Sequence, residues 1–483
     1  MKQRNRIRSF AAFFVIGAMC AIAALGFPRM TFAQAQSELS ISAGLGQTGE
    51  PRFFAIKGAR IVPVSGPVIE KGTVVMANGI ITAVGTDVAI PPEAAVIDGA
   101  GLTVYPGLID AGTTVGLPSP ESAGAPAGRG RGPRAAAPAK QANGPQDRPQ
   151  TTPWDIAANE LNPDDPRIQT WRNAGFTTAL VQPEGGIFPG QGSVVDLGDE
   201  RAGNMIVVPR ATLGIAFETS GNFSSFPTSL MGAVAYVRQV FIDTRWYQDA
   251  EAAYDAHQSG VERPPYDRTE VVVGDALKNN ELVLLPADEK LRIYRAIRLA
   301  NEWQIRAAMY GVQQGYDMAN EIAASKLPVF LNVNWPKMPK GGDEDAITLR
   351  DLRFWDRAPS TPAALSKVGV MYAFYSGGLA DPKDILKNVK KAIDAGLSPD
   401  DALKAMTVNP AQILGVADRM GSIDQGKIAN LVVTDGDLFG EKTKIKDVFV
   451  DGMRYEIHEE ASPGPPGGGE PMPMQQSGEG VQP

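Results

Sequence analysis

Apolar and polar residues alternate at a period of two near both ends of the chain. The pattern fills residues 52–104, in stretches such as RFFAIKGARIVPV and GTVVMANGIITAVG, with glycine or asparagine at the turns. A similar pattern returns in residues 413–457, in GKIANLVVTDGDLFG and IKDVFVDGMRYEIH. Alternation of this kind indicates strands with one buried face. We therefore predict that the two segments pair with each other in one β unit.

The long middle region alternates apolar strand candidates with helical segments. The strand candidates are LTVYPGLID, FTTALVQP, ELVLLPAD, QIRAAMYG, LPVFLNVN and GVMYAFYS, and DEKLRIYRAIRLANEW is typical of the helices. Strand–helix alternation predicts a parallel sheet with both faces covered. Residues 105–412, less an insert of about 35 residues, approach the ~250 residues of a (β/α)8 barrel, although only six of its strands can be named.

Two segments have a composition that does not favour a packed core. Residues 118–153 are rich in proline, glycine and alanine, and residues 458–483 in proline and glycine, so we predict a disordered insert and a disordered tail. The insert is either a solvated loop or a basic tether for a polyanion. Its cations are Arg129, Arg131, Arg134, Lys140 and Arg148.

The first residues have the pattern of a signal peptide. Basic residues up to Arg8 precede the apolar stretch AAFFVIGAMCAIAALGF, and small residues at Ala33 and Ala35 suit cleavage. We assign residues 1–35 to this signal and expect an exported protein, periplasmic or extracellular. The alternative is a retained membrane anchor, for which about 17 apolar residues are few.

Composition narrows the chemistry that the chain can perform. Its 483 residues carry a net charge of −8, which gives no general attraction to nucleic acid or to anionic membranes. The single cysteine, Cys20, lies in the signal segment, so the mature chain has no disulfide or thiolate metal site. The two histidines are His257 and His458.

Three stretches resemble the amidohydrolase superfamily, in the branch of exported imidazolonepropionase-like or dipeptidase-like members. YPGLIDAGTT (Tyr105–Thr114) resembles the end of the first barrel strand of that family. AGFTTALVQPEGGIFPGQGSVVDL (Ala174–Leu197) resembles the second strand and its loop. The most specific stretch begins GLSPDDALKAMTVNPAQILG (Gly396–Phe439) and resembles the last helix and the return into the β unit.

The resemblance implies a fold and an activity. The fold is an α/β metal-dependent-hydrolase-type (β/α)8 TIM barrel over residues 105–412. A small β-sandwich is added from residues 52–104 and 413–457. The family hydrolyses non-peptide carbon–nitrogen bonds, usually with one or two zinc ions that generate a hydroxide. Its ligands are a His-x-His after strand one, a lysine or carboxylate after strand four, histidines after strands five and six, and an aspartate after strand eight.

The family's ligand positions hold other residues in this chain. In strand order, leaving out the unassigned fourth strand, the positions fall on Gly112, Thr114, Leu285, Pro286, Tyr310 and Gly377. Glycine has no ligand atom, and a neutral hydroxyl is a poor ligand for zinc. The usual site also needs four histidines, and neither His257 nor His458 falls on a ligand position. We therefore predict vacant ligand positions lining the pocket, with no catalytic residue, no bound metal and no cofactor.

Carboxylates near the strand ends are weak candidates for a compensating site. Oxygen ligands suit Mg²⁺ or Ca²⁺, and paired carboxylates can perform acid–base chemistry. The candidates are Asp110, Glu184, Asp288 and Asp381. Structural roles compete with this interpretation, because Asp110 belongs to the family-like GLID segment and Asp381 precedes a proline as a helix N-cap does.

Three hypotheses for function follow. The first is a catalytically depleted pseudoenzyme that binds a small molecule or a partner, as a homo-oligomer or with an active amidohydrolase. The second is an active hydrolase of carbon–nitrogen bonds with an unorthodox carboxylate-based or metal-free site. The third is a surface interaction protein that uses the basic insert and the tail. None of them involves nucleic acid or a membrane anchor that remains after signal cleavage.

Overall fold

A computed structural model describes residues 53–118, 148–199, 201–219, 227–338 and 347–457. The segment predicted to be a signal peptide, the predicted tail with His458 and most of the predicted insert lie outside these residues. Two sheets and the helices around one of them make up the described part of the chain.

The strands in chain order are β1 (Phe53–Ile61), β2 (Ile69–Ala77), β3 (Ile80–Gly85), β4 (Ala95–Asp98), β5 (Thr103–Pro106), β6 (Leu108–Thr113), β7 (Phe176–Val181), β8 (Gln191–Asp196), β9 (Ile206–Gly214), β10 (Leu282–Pro286), β11 (Ala307–Gly311), β12 (Val329–Asn332), β13 (Tyr372–Tyr375), β14 (Leu431–Thr434), β15 (Ile445–Val450) and β16 (Met453–Glu456). The α-helices are α1 (Ala157–Glu160), α2 (Pro166–Asn173), α3 (Ala202–Met205), α4 (Leu230–Ala256), α5 (Arg268–Lys278), α6 (Lys290–Trp303), α7 (Ala319–Ser325), α8 (Leu349–Arg357), α9 (Thr361–Lys367), α10 (Lys383–Asp394), α11 (Pro399–Ala405) and α12 (Val408–Leu414). None of the described helices combines the length and the apolar composition that crossing a membrane requires.

Strands from both ends of the described chain form one eight-stranded sheet. Its order is β16-β15-β14-β5-β1-β2-β3, and β4 also pairs with β1. The two flanks meet where β14 pairs antiparallel with β5, with Val432 opposite Tyr105. Apolar residues from β1, β2, β14 and β15 share one buried core. Period-two alternation produces this shared core because it gives every strand one apolar face, and these faces pack together.

The second sheet is a nearly closed barrel of eight strands, in the order β13-β12-β11-β10-β9-β8-β7-β6. Seven of the strands run in one direction, and β8 runs antiparallel to β7 and β9. A short connection can join antiparallel neighbours, and the loop between Val181 and Gln191 does so without a helix. The metal-dependent-hydrolase type of barrel predicted from the sequence is confirmed, with the added detail that one strand is reversed.

The barrel strands are buried on both faces. Alternate residues such as Ile109, Leu284 and Phe330 pack in the interior of the barrel. Their neighbours, such as Leu285 and Leu331, pack in a second cluster with apolar residues of the surrounding helices. Burial on both faces explains why these strands are continuous apolar runs in the sequence rather than alternating ones.

The end of the low-complexity insert is packed against the barrel and its helices. Residues 148–153 are described, and Thr151 and Thr152 are buried. The Arg148 guanidinium lies 2.7 Å from a carboxylate oxygen of Asp243 in α4 and 2.5 Å from one of Glu270 in α5. The prediction of disorder up to Pro153 was therefore too long, and Arg148 is neutralised by carboxylates rather than available to a polyanion.

Candidate functional site

The candidate site is the barrel mouth, the edge at which the seven co-directional strands end. Residues that end or follow these strands are brought together there because the strands lie side by side. The mouth therefore collects Gly112 from β6, Tyr310 from β11, and Tyr375 with Gly377 from the end of β13.

The ring of Tyr375 occupies the space that a side chain at Gly112 would need. A Cβ atom built on Gly112 would lie 3.1 Å from Cδ2 of that ring and 3.4 Å from its Cγ. The two residues belong to β6 and β13, the strands that meet where the barrel closes. A histidine at this position would need room beyond its Cβ, so it could enter only if the Tyr375 ring moved.

The carboxamide of Asn332 fills the corresponding space at Gly377. A Cβ on Gly377 would lie only 2.1 Å from Oδ1 of Asn332, and the φ of Gly377 is +55°. Asn332 Oδ1 accepts the backbone N–H of Asn334 at 2.7 Å, and its side chain hydrogen-bonds the Tyr375 hydroxyl. An aspartate could enter here only if this arrangement moved.

Sequence reasoning did not single out Asn332 or Tyr375. The signal that was available is their position, because each is the last residue of an apolar strand, in LPVFLN and VMYAFY. The residues that they contact depend on which strand lies next to theirs. Neither residue type nor spacing in the sequence reveals that neighbour.

Two tyrosines give the mouth a neutral interior. Burial raises the pKa of Tyr310 above the ordinary tyrosine value, and the nearby Tyr375, Asp288 and Glu218 raise it further. Burial likewise raises the pKa of Tyr375. The Tyr310 hydroxyl donates to the backbone carbonyl of Ile215 at 3.1 Å. Both phenols therefore remain protonated at neutral pH and act as hydrogen-bonding groups rather than as anionic ligands.

The remaining ligand positions that we predicted to be vacant differ in their surroundings. Thr114 Oγ1 accepts a long hydrogen bond, 3.4 Å, from the Arg167 guanidinium. Pro286 ends β10 opposite Tyr310. Leu285 is fully buried in the helix-facing cluster, so its prediction as a pocket-lining residue was wrong. Successive strand residues point to opposite faces, and Leu285 points away from the barrel interior.

Asp110 is a buried carboxylate whose two oxygens are both engaged. One oxygen accepts the backbone N–H groups of Ser376 at 3.0 Å and Gly112 at 3.2 Å, and the other accepts Trp171 Nε1 at 2.9 Å. Burial raises the pKa of Asp110, and these hydrogen bonds oppose the increase. The carboxylate joins β6 to β13 at the closing seam of the barrel, as a structural acceptor.

The other three candidate carboxylates do not form a cluster with Asp110. Both oxygens of Asp288 bind the Arg292 guanidinium, at 2.9 and 3.1 Å. Glu184 is exposed, and Asp381 is exposed and accepts the backbone N–H of Lys383 as a helix-capping residue does. Among the described residues, no three histidine, cysteine or acidic side chains are arranged to hold a metal ion.

The described residues of the mouth do not suit the zinc site that the fold family implies. His257 is exposed and caps the C-terminus of α4. The groups that face each other at the closing seam are a phenol, a carboxamide and a carboxylate already bonded to three N–H groups. Zinc prefers imidazole, thiolate and free carboxylate ligands, so this donor set does not fit the ion.

Comparisons with known proteins agree with a barrel and sheet of the amidohydrolase type. The Amidohydrolase family model matches residues 357–454. A crystal structure of an amidohydrolase from Thermotoga maritima MSB8 superposes with a TM-score of 0.69 at 26% identity, over 83% of this chain and 100% of that one. These matches support a place for this chain in the amidohydrolase superfamily.

Curated relatives match over shorter spans. Amidohydrolase tasK of Hapsidospora irregularis is 24% identical over 343 residues, which are 62% of this chain and 32% of that protein. Imidazolonepropionase of Flavobacterium johnsoniae is 27% identical over 156 residues, which are 30% of this chain and 37% of that protein. The chain thus spans about a third of the length of these two relatives.

Proposed function

We propose that this chain is a catalytically depleted amidohydrolase that functions by binding a partner or a small molecule. The observation that carries the proposal is the filling of two ligand positions by neighbouring side chains, Tyr375 at Gly112 and Asn332 at Gly377. A site that had only lost its ligands would keep room for their side chains. Here the Tyr375 ring and the Asn332 carboxamide lie where those side chains would begin, which supports a mouth adapted to a different role.

A partner subunit is the form of binding that we favour. Large apolar side chains are exposed on two outer helices that contact each other, through an ion pair between Arg238 and Glu302. These side chains are Ile242 and Trp246 of α4 and Leu291 and Tyr294 of α6. Exposed apolar groups on a barrel exterior suit a subunit interface where they form one contiguous patch. The partner would be a second copy or an active amidohydrolase, met after export to a periplasm or the exterior.

Metal content is the experiment that tests this proposal. The purified mature chain would be loaded with zinc, manganese and magnesium in turn, freed of excess ion and measured by plasma mass spectrometry. We expect less than about 0.1 metal per chain, since the donor set does not suit these ions. A zinc enzyme of known metal content, treated in parallel, serves as a control for the loading procedure.

A stoichiometric metal in the mature chain would overturn the proposal. It would mean that the mouth rearranges around an ion, with Tyr375 displaced from Gly112.

An active hydrolase with an unorthodox site is the second candidate. It is favoured by the electrostatic influence of three carboxylates, Glu184, Glu218 and Asp288, on the two half-buried tyrosines of the mouth. The metal-free chain would be assayed on dipeptides and cyclic amides. Hydrolysis that is lost in Asp288→Asn but kept in Asp381→Asn, a matched exposed carboxylate, would establish this candidate and reject the first.

A further inference from the structure

A cleft lies at the end of the barrel opposite the mouth. Its volume is about 420 Å³, within the range of small-molecule sites. Leu282 and Ala307, the first residues of β10 and β11, form part of its wall, together with Met371 just before β13. These positions mark the end at which the parallel strands begin, so the cleft shares no residue with the candidate site.

Several side chains of the cleft wall are apolar. Ile322, Leu327, Val370 and Met371 line it, and Met371 keeps 44% of its surface exposed. An exposed methionine beside other aliphatic groups gives an adaptable surface for the apolar body of a ligand.

The cleft wall also carries two cations. Arg306 and Lys326 line the cleft, and its described lining contains no aspartate or glutamate. Neither cation makes an ion pair with a described carboxylate, although acidic residues outnumber basic ones in the chain. The Arg306 guanidinium donates to the backbone carbonyls of Ile413 at 2.8 Å and Asn280 at 3.4 Å, which hold it in place.

Lys326 has a left-handed backbone conformation, which glycine or asparagine adopts more readily than lysine. It caps the C-terminus of α7 in the left-handed region, with a φ of +58°. Glycine and asparagine adopt this region most readily, so the fold alone does not call for lysine here. The side chain brings a charge to the cleft that the cap itself does not need.

We propose that this cleft binds a carboxylic acid with an apolar chain. The carboxylate would lie between Arg306 and Lys326, because a guanidinium and an ammonium supply charge-assisted hydrogen bonds to it. The apolar chain would lie against Leu327, Val370 and Met371, where its burial removes apolar surface from water. This inference is independent of the proposed function, since it concerns the opposite end of the barrel.

Calorimetric titration of the full mature chain tests the ligand class, with decanoate as the probe kept below its micelle-forming concentration. We expect a dissociation constant on the order of 0.1–1 mM for decanoate. Decanol and acetate, which lack the charge and the apolar chain respectively, are expected to bind at least about tenfold more weakly. Equal affinity for decanol or for acetate would overturn the proposal, as would the absence of binding by decanoate.

Two variants test the location of the site. Lys326→Gly removes the charge and suits the left-handed cap, so we expect equal or higher thermal stability and about tenfold weaker decanoate binding. Arg306→Gln is expected to weaken binding similarly. Lys367→Gln, an exposed lysine outside the cleft lining, is the matched control and should bind as the native chain does. Unchanged affinity in folded Lys326→Gly would reject the site.

Discussion

At the scale of single residues, the packing of the mouth depends on the residues that stand at the expected ligand positions. Gly112 and Gly377 lack side chains, and Tyr375 and Asn332 occupy the space that this leaves. Each replacement thus makes a contact that a larger side chain would break. The glycines that remove the ligands are therefore also the residues that allow Tyr375 and Asn332 to pack in the mouth.

Gly377→Ala tests this packing directly. The added Cβ would overlap Asn332 at a backbone φ of +55°, so we expect a loss of about 2–4 kcal/mol in the free energy of unfolding. Gly378→Ala is the matched control, because its φ is +81° but its Cβ would meet no atom within 4 Å, and only about 1 kcal/mol is expected. Urea unfolding of both variants measures the difference. Equal losses would mean that Asn332 does not restrict this position.

At the scale of secondary-structure elements, periodicity predicted the two kinds of sheet well. Alternating positions marked the strands of the flanking sheet, and continuous apolar runs marked the barrel strands. It did not predict the reversal of β8, because strand direction depends on the connection and not on the residues within the strand. Nor did composition predict that Arg148 attaches the end of the insert to α4 and α5, since its partners are about 100 residues away in the chain.

Arg148→Gln is expected to destabilise the chain by about 2–4 kcal/mol, because it leaves the buried Glu270 beside Asp243 and Asp267 without a cation. Arg238→Gln removes a more exposed arginine–carboxylate pair and should cost at most about 1 kcal/mol. Urea unfolding near neutral pH compares the two. Similar losses would show that the Arg148 cluster is no stronger than a surface pair.

The loss in Arg148→Gln should also depend on pH. Burial raises the pKa of Glu270 to about 7 even though Arg148 lowers it, so removing Arg148 raises it further. A carboxyl with a raised pKa destabilises the folded state as pH rises from its unfolded value through its folded value. The free energy of unfolding of the variant should therefore be closest to that of the native chain near pH 5.5 and furthest below it near pH 8. A loss independent of pH would contradict this assignment.

At the scale of the whole molecule, a buried carboxylate joins the barrel to the flanking sheet. Asp196 at the end of β8 accepts the Thr178 hydroxyl at 2.6 Å and the Asn430 side-chain amide at 2.9 Å. Burial, together with the nearby Asp451, raises its pKa to about 7. The junction therefore holds an acidic group that binds a proton more tightly in the folded chain than in the unfolded one.

Asp196→Asn should flatten the pH dependence of stability. In the native chain this group lowers the free energy of unfolding as pH rises from about 4 to 7, since the folded state binds the proton more tightly. The variant lacks this contribution, so its stability relative to the native chain should be greater near pH 8 than near pH 5. Thermal unfolding across this range measures it, with exposed Asp418→Asn as the control for the same charge change. A parallel shift at every pH would contradict the prediction.

The sequence by itself determined the class of fold and the absence of the usual ligand residues. Hydrophobic periodicity reflects which faces of the strands and helices are buried. The chemistry of a side chain decides whether it can ligate a metal. The fold class and the missing ligands can therefore both be predicted from a single sequence. The tertiary structure alone decided that Tyr375 and Asn332 fill the vacant positions, that Leu285 faces the helices, and that Arg306 and Lys326 share a cleft. These facts depend on which strands and helices are neighbours, and contacts between segments distant in the chain are not encoded in any local pattern.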